Sequence, residues 1–353
     1  MKHLALAAAV ALSAVSMMAS NFRAADQVYL PAAGRITGGG VTFISDVWVQ
    51  NMTNDPVTVS VIYTATFAGS NQAPQYANDL FSLAPRERRE FVDFVGANRA
   101  TGNGLGLDPF FGTLIFNACR QGADCTDQVD EVTGVDPDFR DIAVFSRIYS
   151  IPVGGNIATS PSNGQAFPGI PWYNYVSSRA SNIQSSGQNL STVVITGLRN
   201  TGAGGQAGTY RGNIGFMNAS QFSTTTIRVR LYRGNAPDTV VASREFTVAP
   251  LNHIQMGVSA MFGDAFPAGL SSTNAFVRID QTNSVATSDA PTGCQPDGCP
   301  GFIAYGSVLD NLTSDATTLE AIYEFPLSLD GIDTIYGSSA GKPNVRRAAR
   351  RRP

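Results

Sequence analysis

Hydrophobic and polar residues alternate along much of the chain with a period of two. In Val57-Thr58-Val59-Ser60-Val61-Ile62-Tyr63, residues Val57, Val59, Val61 and Tyr63 share one face. In Ile227-Arg228-Val229-Arg230-Leu231-Tyr232, the arginines face water while Ile227, Val229 and Leu231 face a core. Such alternation marks half-buried strands of antiparallel sheets, which leave one face wet. Further strands are predicted over 88–95, 110–117, 141–151, 191–199, 239–248, 273–280, 301–310 and 317–326. Gly-, Asn- and Pro-rich punctuation separates them, as in Gly234-Asn235-Ala236-Pro237-Asp238. The best helix candidates are one or two turns near Asp93–Ala100 and Val258–Phe262. Many short strands without helical crossovers predict an all-β fold of two tandem immunoglobulin-like antiparallel β-sandwich domains.

The strand pattern itself occurs twice. A strand ending in Asn opens each copy: Asp46-Val47-Trp48-Val49-Gln50-Asn51, then Asn213-Ile214-Gly215-Phe216-Met217-Asn218. An Ala-Pro step follows (Ala84-Pro85, Ala249-Pro250), then an apolar strand and two nearby cysteines. A closing strand spaced A-x-x-S-x-[IL] ends each copy, at Ala143, Ser146 and Ile148 and at Ala304, Ser307 and Leu309. The resulting division is a signal peptide over 1–25, domains over 26–153 and 191–327, a linker over 154–190 and a disordered Arg-rich tail over 328–353. The linker carries an apolar island from Phe167 to Tyr173, in which Trp172 and Tyr173 are candidate binding residues.

Composition places the chain outside the cytoplasm. Lys2 and His3 precede an apolar run from Leu4 to Val15, and small residues follow, as in a secretory signal. That run is too short to span a bilayer, which takes about 20 apolar residues, and no later stretch approaches that length. The expected location is secreted, extracellular or periplasmic. In that compartment Cys119 with Cys125, and Cys294 with Cys299, read as two local disulfides. A four-cysteine metal site is the alternative, with wider spacing than the usual C-x2-C. Charged residues are only 14% of the chain, and basic charge is almost all Arg. The net charge of −3 includes the Arg-rich tail, so the body is more acidic still and offers no nucleic-acid-binding face.

Leu30-Pro31-Ala32-Ala33, Asp46-Val47-Trp48-Val49-Gln50-Asn51 and the run Ala304 to Asp315 together resemble a set of exported bacterial proteins. These are acidobacterial-type tandem β-sandwich repeat proteins sharing an A-Y-x-S-V-x-D-N-x-T-x-D ending. The resemblance implies the fold and export, and it implies no defined activity. The first copy departs from the ending, with Tyr149-Ser150 where the second has Asp310-Asn311.

The candidate chemistry is sparse. Beyond the signal the single histidine is His253, which cannot build a multi-histidine zinc site. No G-x-S-x-G elbow and no phosphate-binding loop occur; the glycine runs precede strands instead of opening helices. An acidic loop in the first copy offers Asp136, Asp138 and Asp141 as candidate Ca²⁺ ligands. Asp310, Asn311, Thr313 and Asp315 form a second oxygen-rich group, better explained as an Asx- or ST-type turn. No cofactor other than Ca²⁺ is indicated. The leading expectation is an exported, non-enzymatic protein acting through surface contacts in adhesion, matrix or envelope structure, with an envelope or extracellular polymer as partner. A carbohydrate- or calcium-binding module is the alternative, and a carboxylate-dependent glycoside hydrolase is the third class.

Overall fold

The computed structural model describes residues 24–38, 40–65, 75–96, 105, 110–123, 138–160, 162–171, 192–201, 208–220, 224–263, 272–282, 301–313 and 315–323. The first half contributes β1 (Gln27–Gly38), β2 (Val41–Asn51), β3 (Val57–Ala65), β4 (Gln75–Leu83), β5 (Arg88–Phe91), β6 (Phe110–Arg120), β7 (Ile142–Pro152), β8 (Asn163–Pro168) and β9 (Ile170–Pro171). The second contributes β10 (Thr192–Asn200), β11 (Tyr210–Asn218), β12 (Thr225–Arg233), β13 (Ala236–Val248), β14 (His253–Gly257), α1 (Val258–Phe262), β15 (Ser272–Gln281), β16 (Phe302–Asp310), β17 (Ala316–Glu320) and β18 (Ile322–Tyr323). The fold is all-β and its described strand pairings are antiparallel, as the period-two pattern requires.

Each half is two sheets face to face. In the first, a front sheet β5-β2-β7-β8 lies over a back sheet β4-β3-β6-β1-β9. Strand β1 belongs to both, since its start pairs with β6 and its end with β2. The second half repeats the order, with a front sheet β14-β11-β16-β17 and a back sheet β13-β12-β15-β10-β18. An isolated bridge between Thr201 and Tyr210 marks the point where β10 meets the front layer. Even the irregularities recur: β1 bulges between Leu30 and Ala33, and β10 between Ile195 and Leu198. Pro31 sits inside the first bulge, where its missing N–H costs no ladder bond.

The landmarks shared by the two copies now have physical causes. Asn51 and Asn218 are fully buried at the ends of β2 and β11. The Asn51 amide donates to the carbonyls of Asp55 and Ala84, and its oxygen accepts from Thr53 N and Oγ1. The Asn218 amide donates to Val248 O, and its oxygen accepts from Ser220 N and Thr225 Oγ1. Each asparagine therefore satisfies backbone groups where a strand leaves the sheet. The Ala-Pro steps open turns closed by Glu87 N to Ala84 O and by Asn252 N to Ala249 O. Both turns place a non-glycine residue at positive φ, Arg86 at 59° and Leu251 at 55°. Proline followed by positive φ is the type II arrangement.

Strand pairing also revises the alignment of the closing strands. Asn51 lies opposite Ile142 and Asn218 opposite Phe302, so Ala143 is equivalent to Ile303 and Phe145 to Tyr305. The A-x-x-S-x-[IL] match is thus one residue out of register. A slip of one reverses the face of every side chain, and burial confirms the structural pairing. Val47, Val49, Ile142 and Val144 fill the first core, and Ile214, Phe216, Phe302 and Ala304 fill the second. Of the two short helices expected, Val258–Phe262 forms; residues 92–96 form a turn, and 97–100 lie outside the described residues. The tail, residues 1–23 and most of the expected linker also lie outside them, but Asn163–Pro171 joins the first half as β8 and β9.

The halves are joined face to face. Met217, Ala219, Leu251 and Ile303, from the outer side of the second front sheet, belong to the first half's hydrophobic cluster. Tyr305 packs with Ala32, Ile148 and Phe167, and Phe111 lies against that group. Thr64 Oγ1 donates to Leu251 O at 2.8 Å, and Thr318 Oγ1 to Ala166 O at 2.6 Å. Fully burying a Met, Leu or Ile side chain contributes roughly 1.5–3 kcal/mol, so these residues alone make a firm joint.

Replacing Asn51 or Asn218 by Ala strands several buried backbone groups, at about 1–3 kcal/mol each before relaxation. We expect each variant to lose about 2 kcal/mol or more of unfolding free energy in equilibrium urea titrations. Wild-type stability in both would show that water replaces the amide at these corners.

Candidate functional site

The outer side of the first front sheet carries the candidate site. Alternation in β2 sends Val47 and Val49 inward and leaves Trp48 and Gln50 outward. Phe145 of β7 lies opposite Trp48, and Ala143 opposite Gln50. On the other flank, β5 sets Glu90 opposite Trp48 and Arg88 opposite Gln50. These residues line an open groove of about 210 Å³, bounded by Trp48, Gln50, Arg88, Ala143, Val144 and Phe145. The Trp48 and Phe145 rings are 5.6 Å apart and tilted at 44°. Gln50, Arg88 and Glu90 are exposed, and both aromatic rings are partly so.

One step along the same strands lies a buried polar network. Asp46 Oδ1 accepts from Asp93 N at 2.9 Å and from Tyr149 OH at 3.1 Å, and Asp93 pairs with Arg35. Burial raises the Asp46 carboxyl, against the hydrogen bonds from Asp93 and Tyr149. Burial also pushes Asp93 up to about 6, against the pull of Arg35. Both aspartates are less than a tenth exposed, so this pair ties the turn after β5 to the sheet. It does not present two carboxyls to the groove.

The same face of the second half has the opposite fate. Gly215 and Tyr305 stand where Trp48 and Phe145 stand, and Met217, His253, Gln255 and Ile303 replace Gln50, Arg88, Glu90 and Ala143. The Tyr305 ring lies across Gly215, where an added Cβ would meet it at 2.1 Å. Tyr305 stacks edge-on against Phe167 at 5.3 Å, and His253 lies 5.5 Å from Phe111. Tyr305 OH donates to Gln255 Oε1 at 2.6 Å and lies 2.9 Å from His253 Nε2. With its proton given to Gln255, the tyrosine accepts from His253, whose neutral ring then carries hydrogen on Nε2. The histidine is a sealed member of the joint.

The other sequence candidates have separate places. Cys119 is buried at the end of β6, opposite Thr58; Cys125, Cys294 and Cys299 lie outside the described residues. Asp138 pairs with Arg120 at 2.9 Å, Asp141 precedes β7, and Asp136 lies outside the described residues. Among the described residues, no three His, Cys, Asp or Glu side chains gather as a metal-ligand set. Trp172 and Tyr173 also lie outside the described residues, whereas Phe167 from the same island is in the joint. Asp310 Oδ1 accepts from Leu312 N and Thr313 N, and Thr313 Oγ1 from Asp315 N, which makes this ending a turn. Those backbone bonds hold the Asp310 carboxyl below its ordinary value.

Sequence pattern alone gives no groove and places Trp48 in a strand landmark common to both copies. The available signal was the contrast within it: the largest side chain in one copy and glycine in the other.

The chain matches no family model and no curated protein. Among solved structures it is similar to a broad bean stain virus chain seen by cryo-electron microscopy, at 9% identity and a TM-score of 0.21, covering 86% of this chain and 92% of that one. It is also similar to the N-terminal tandem CBM22 domains of Paenibacillus barcinonensis Xyn10C, at 11% identity and a TM-score of 0.15, covering 81% and 80%. Likenesses this weak carry no argument about function.

The joint should be sensitive to acid. Burial pushes His253 down to about 3, whereas an unfolded histidine titrates near ~6.5. The unfolded chain binds more protons between these values, so stability is complete above the upper one and declines as pH falls through the window. Asp93 acts in the opposite sense, since its raised value withdraws stability as pH rises from roughly 4 towards 6. The difference between wild type and His253→Gln isolates the histidine. Between pH 7 and pH 4, wild type should lose about 3 kcal/mol more than the variant in denaturant titrations. Parallel curves would place His253 in contact with water.

Proposed function

We propose that the protein is exported and non-enzymatic, and that it acts by surface contact with an envelope or extracellular polymer through the outer front face of its first half. One observation carries the reading: among the described residues this face is part-exposed and aromatic, while its counterpart in the second half is buried in the joint. Exposed aromatic residues beside polar groups are a recurrent mark of interaction surfaces.

The non-enzymatic part rests on the scarcity of catalytic groups. His253, the one histidine beyond the signal-like segment, is engaged with Tyr305 and held neutral, so it is unsuited to act on a substrate. Asp46 and Asp93, the neighbouring carboxyls beside the groove, are bound into the turn after β5. Export rests on the N-terminal signal pattern, and pairing of Cys119 with Cys125 and of Cys294 with Cys299 belongs to the same reading. Each disulfide would close a loop only a few residues long, which restricts the unfolded chain.

In fractionated producing cells, the chain should sediment with the envelope or its surrounding polymer. Trp48→Ser should lower the bound fraction at least fivefold (about) without shifting the thermal midpoint, because the ring is part-exposed and outside the core. Equal recovery of both proteins in the soluble fraction would overturn the reading.

A further inference from the structure

We propose that the Trp48 groove binds a neutral polysaccharide chain; this rests on the surface-contact reading above and names its partner. The two halves place one face in two environments. The second half shows what this face carries when another part of the protein covers it: Met217, Leu251 and Ile303 supply aliphatic contact, and Gly215 admits the Tyr305 ring. The first half carries Gln50, Arg86 and Ala143 at the three aliphatic positions. Those changes remove the aliphatic contacts on which the joint is built.

A face altered only for solubility would have become polar throughout. This one instead has Trp48 where the second half has glycine and an aromatic ring, Phe145, in the place of Tyr305, so aromatic side chains border the groove where aliphatic ones are lost. Rings beside planar hydrogen-bonding groups suit a pyranose polymer, whose C–H faces lie on aromatic rings while its hydroxyls bond at the edges. Gln50 offers an acceptor and two donors, Arg88 a fork of donors, and Glu90 two acceptor oxygens. Arg88 and Glu90 have opposite charges, so the rim does not select an ionic polymer. The groove is open, as binding to a chain's interior requires, and its walls stand on hydrogen-bonded strands that hold the rings in place.

The outer back face of the second half provides the control surface. There Asp280 is held between Arg228 and Arg230, and Arg278 lies over Tyr232, so its polar and aromatic groups are already engaged with one another.

The test uses the exported chain with xylan, mixed-linkage β-glucan and galactomannan in affinity electrophoresis. In parallel it uses the producing cells' envelope fraction, either untreated, oxidised with periodate or digested with protease. Retardation by at least one polysaccharide is expected, weakened at least tenfold (about) by Trp48→Ala and unchanged by Arg278→Ala, with matching melting curves. Envelope binding should be lost after periodate and survive protease. If no polysaccharide retards the chain and envelope binding is protease-sensitive but periodate-resistant, the partner is a protein and the inference fails, with the surface-contact reading intact. Trp48-dependent self-association in the ultracentrifuge would likewise replace the glycan with a second copy. Envelope binding indifferent to Trp48→Ala would overturn both the inference and the reading beneath it.

Discussion

A β-sheet has two faces, and each must be packed or made compatible with water. This constraint organises the whole molecule. Four sheets form two sandwiches, and within each sandwich the inner faces bury each other. The four outer faces remain to be managed. Two of them solve the problem together: Met217, Leu251 and Ile303 from the second front sheet enter the first half's cluster, and Tyr305 closes against Phe167. The joint consumes one face that the duplication would otherwise leave exposed. Each half thereby becomes a wall of the other's environment.

The remaining two outer faces differ in kind. On the second back sheet, Arg228 and Arg230 hold Asp280, and Arg278 lies over the stacked Tyr232 and Phe276 rings. On the first front sheet, the Trp48 and Phe145 rings border a groove with Gln50 and Arg88. The two halves thus have the same strand order and different external chemistry.

Much of the architecture was legible in residue pattern. Val57, Val59, Val61 and Tyr63 and, in the second half, Ile227, Val229 and Leu231 lie in the cores that their alternation indicated. Asn51 and Asn218 marked equivalent corners because only a side chain with both donor and acceptor can satisfy the backbone groups meeting there. Less visible was β1, where Pro31 and the bulge interrupt the alternation, and β8 and β9, which look like linker until they find β7 and β1. The closing strands could be misaligned by one residue because β16 is buried on both faces and its sequence therefore lacks a clear inside and outside.

By itself, the sequence determined what depends on local periodicity and local chemistry: strands, turns, repetition, and the Asp310 turn with its backbone bonds. Only the tertiary structure decided which outer faces would meet. That choice made His253 a neutral buried link, Tyr305 part of a joint, and the equivalent Phe145 a wall of an open groove. The physical reason is that alternation tells whether a residue points to one side of a sheet or the other. What lies on the far side, whether water or another sheet, is set by residues distant in the chain.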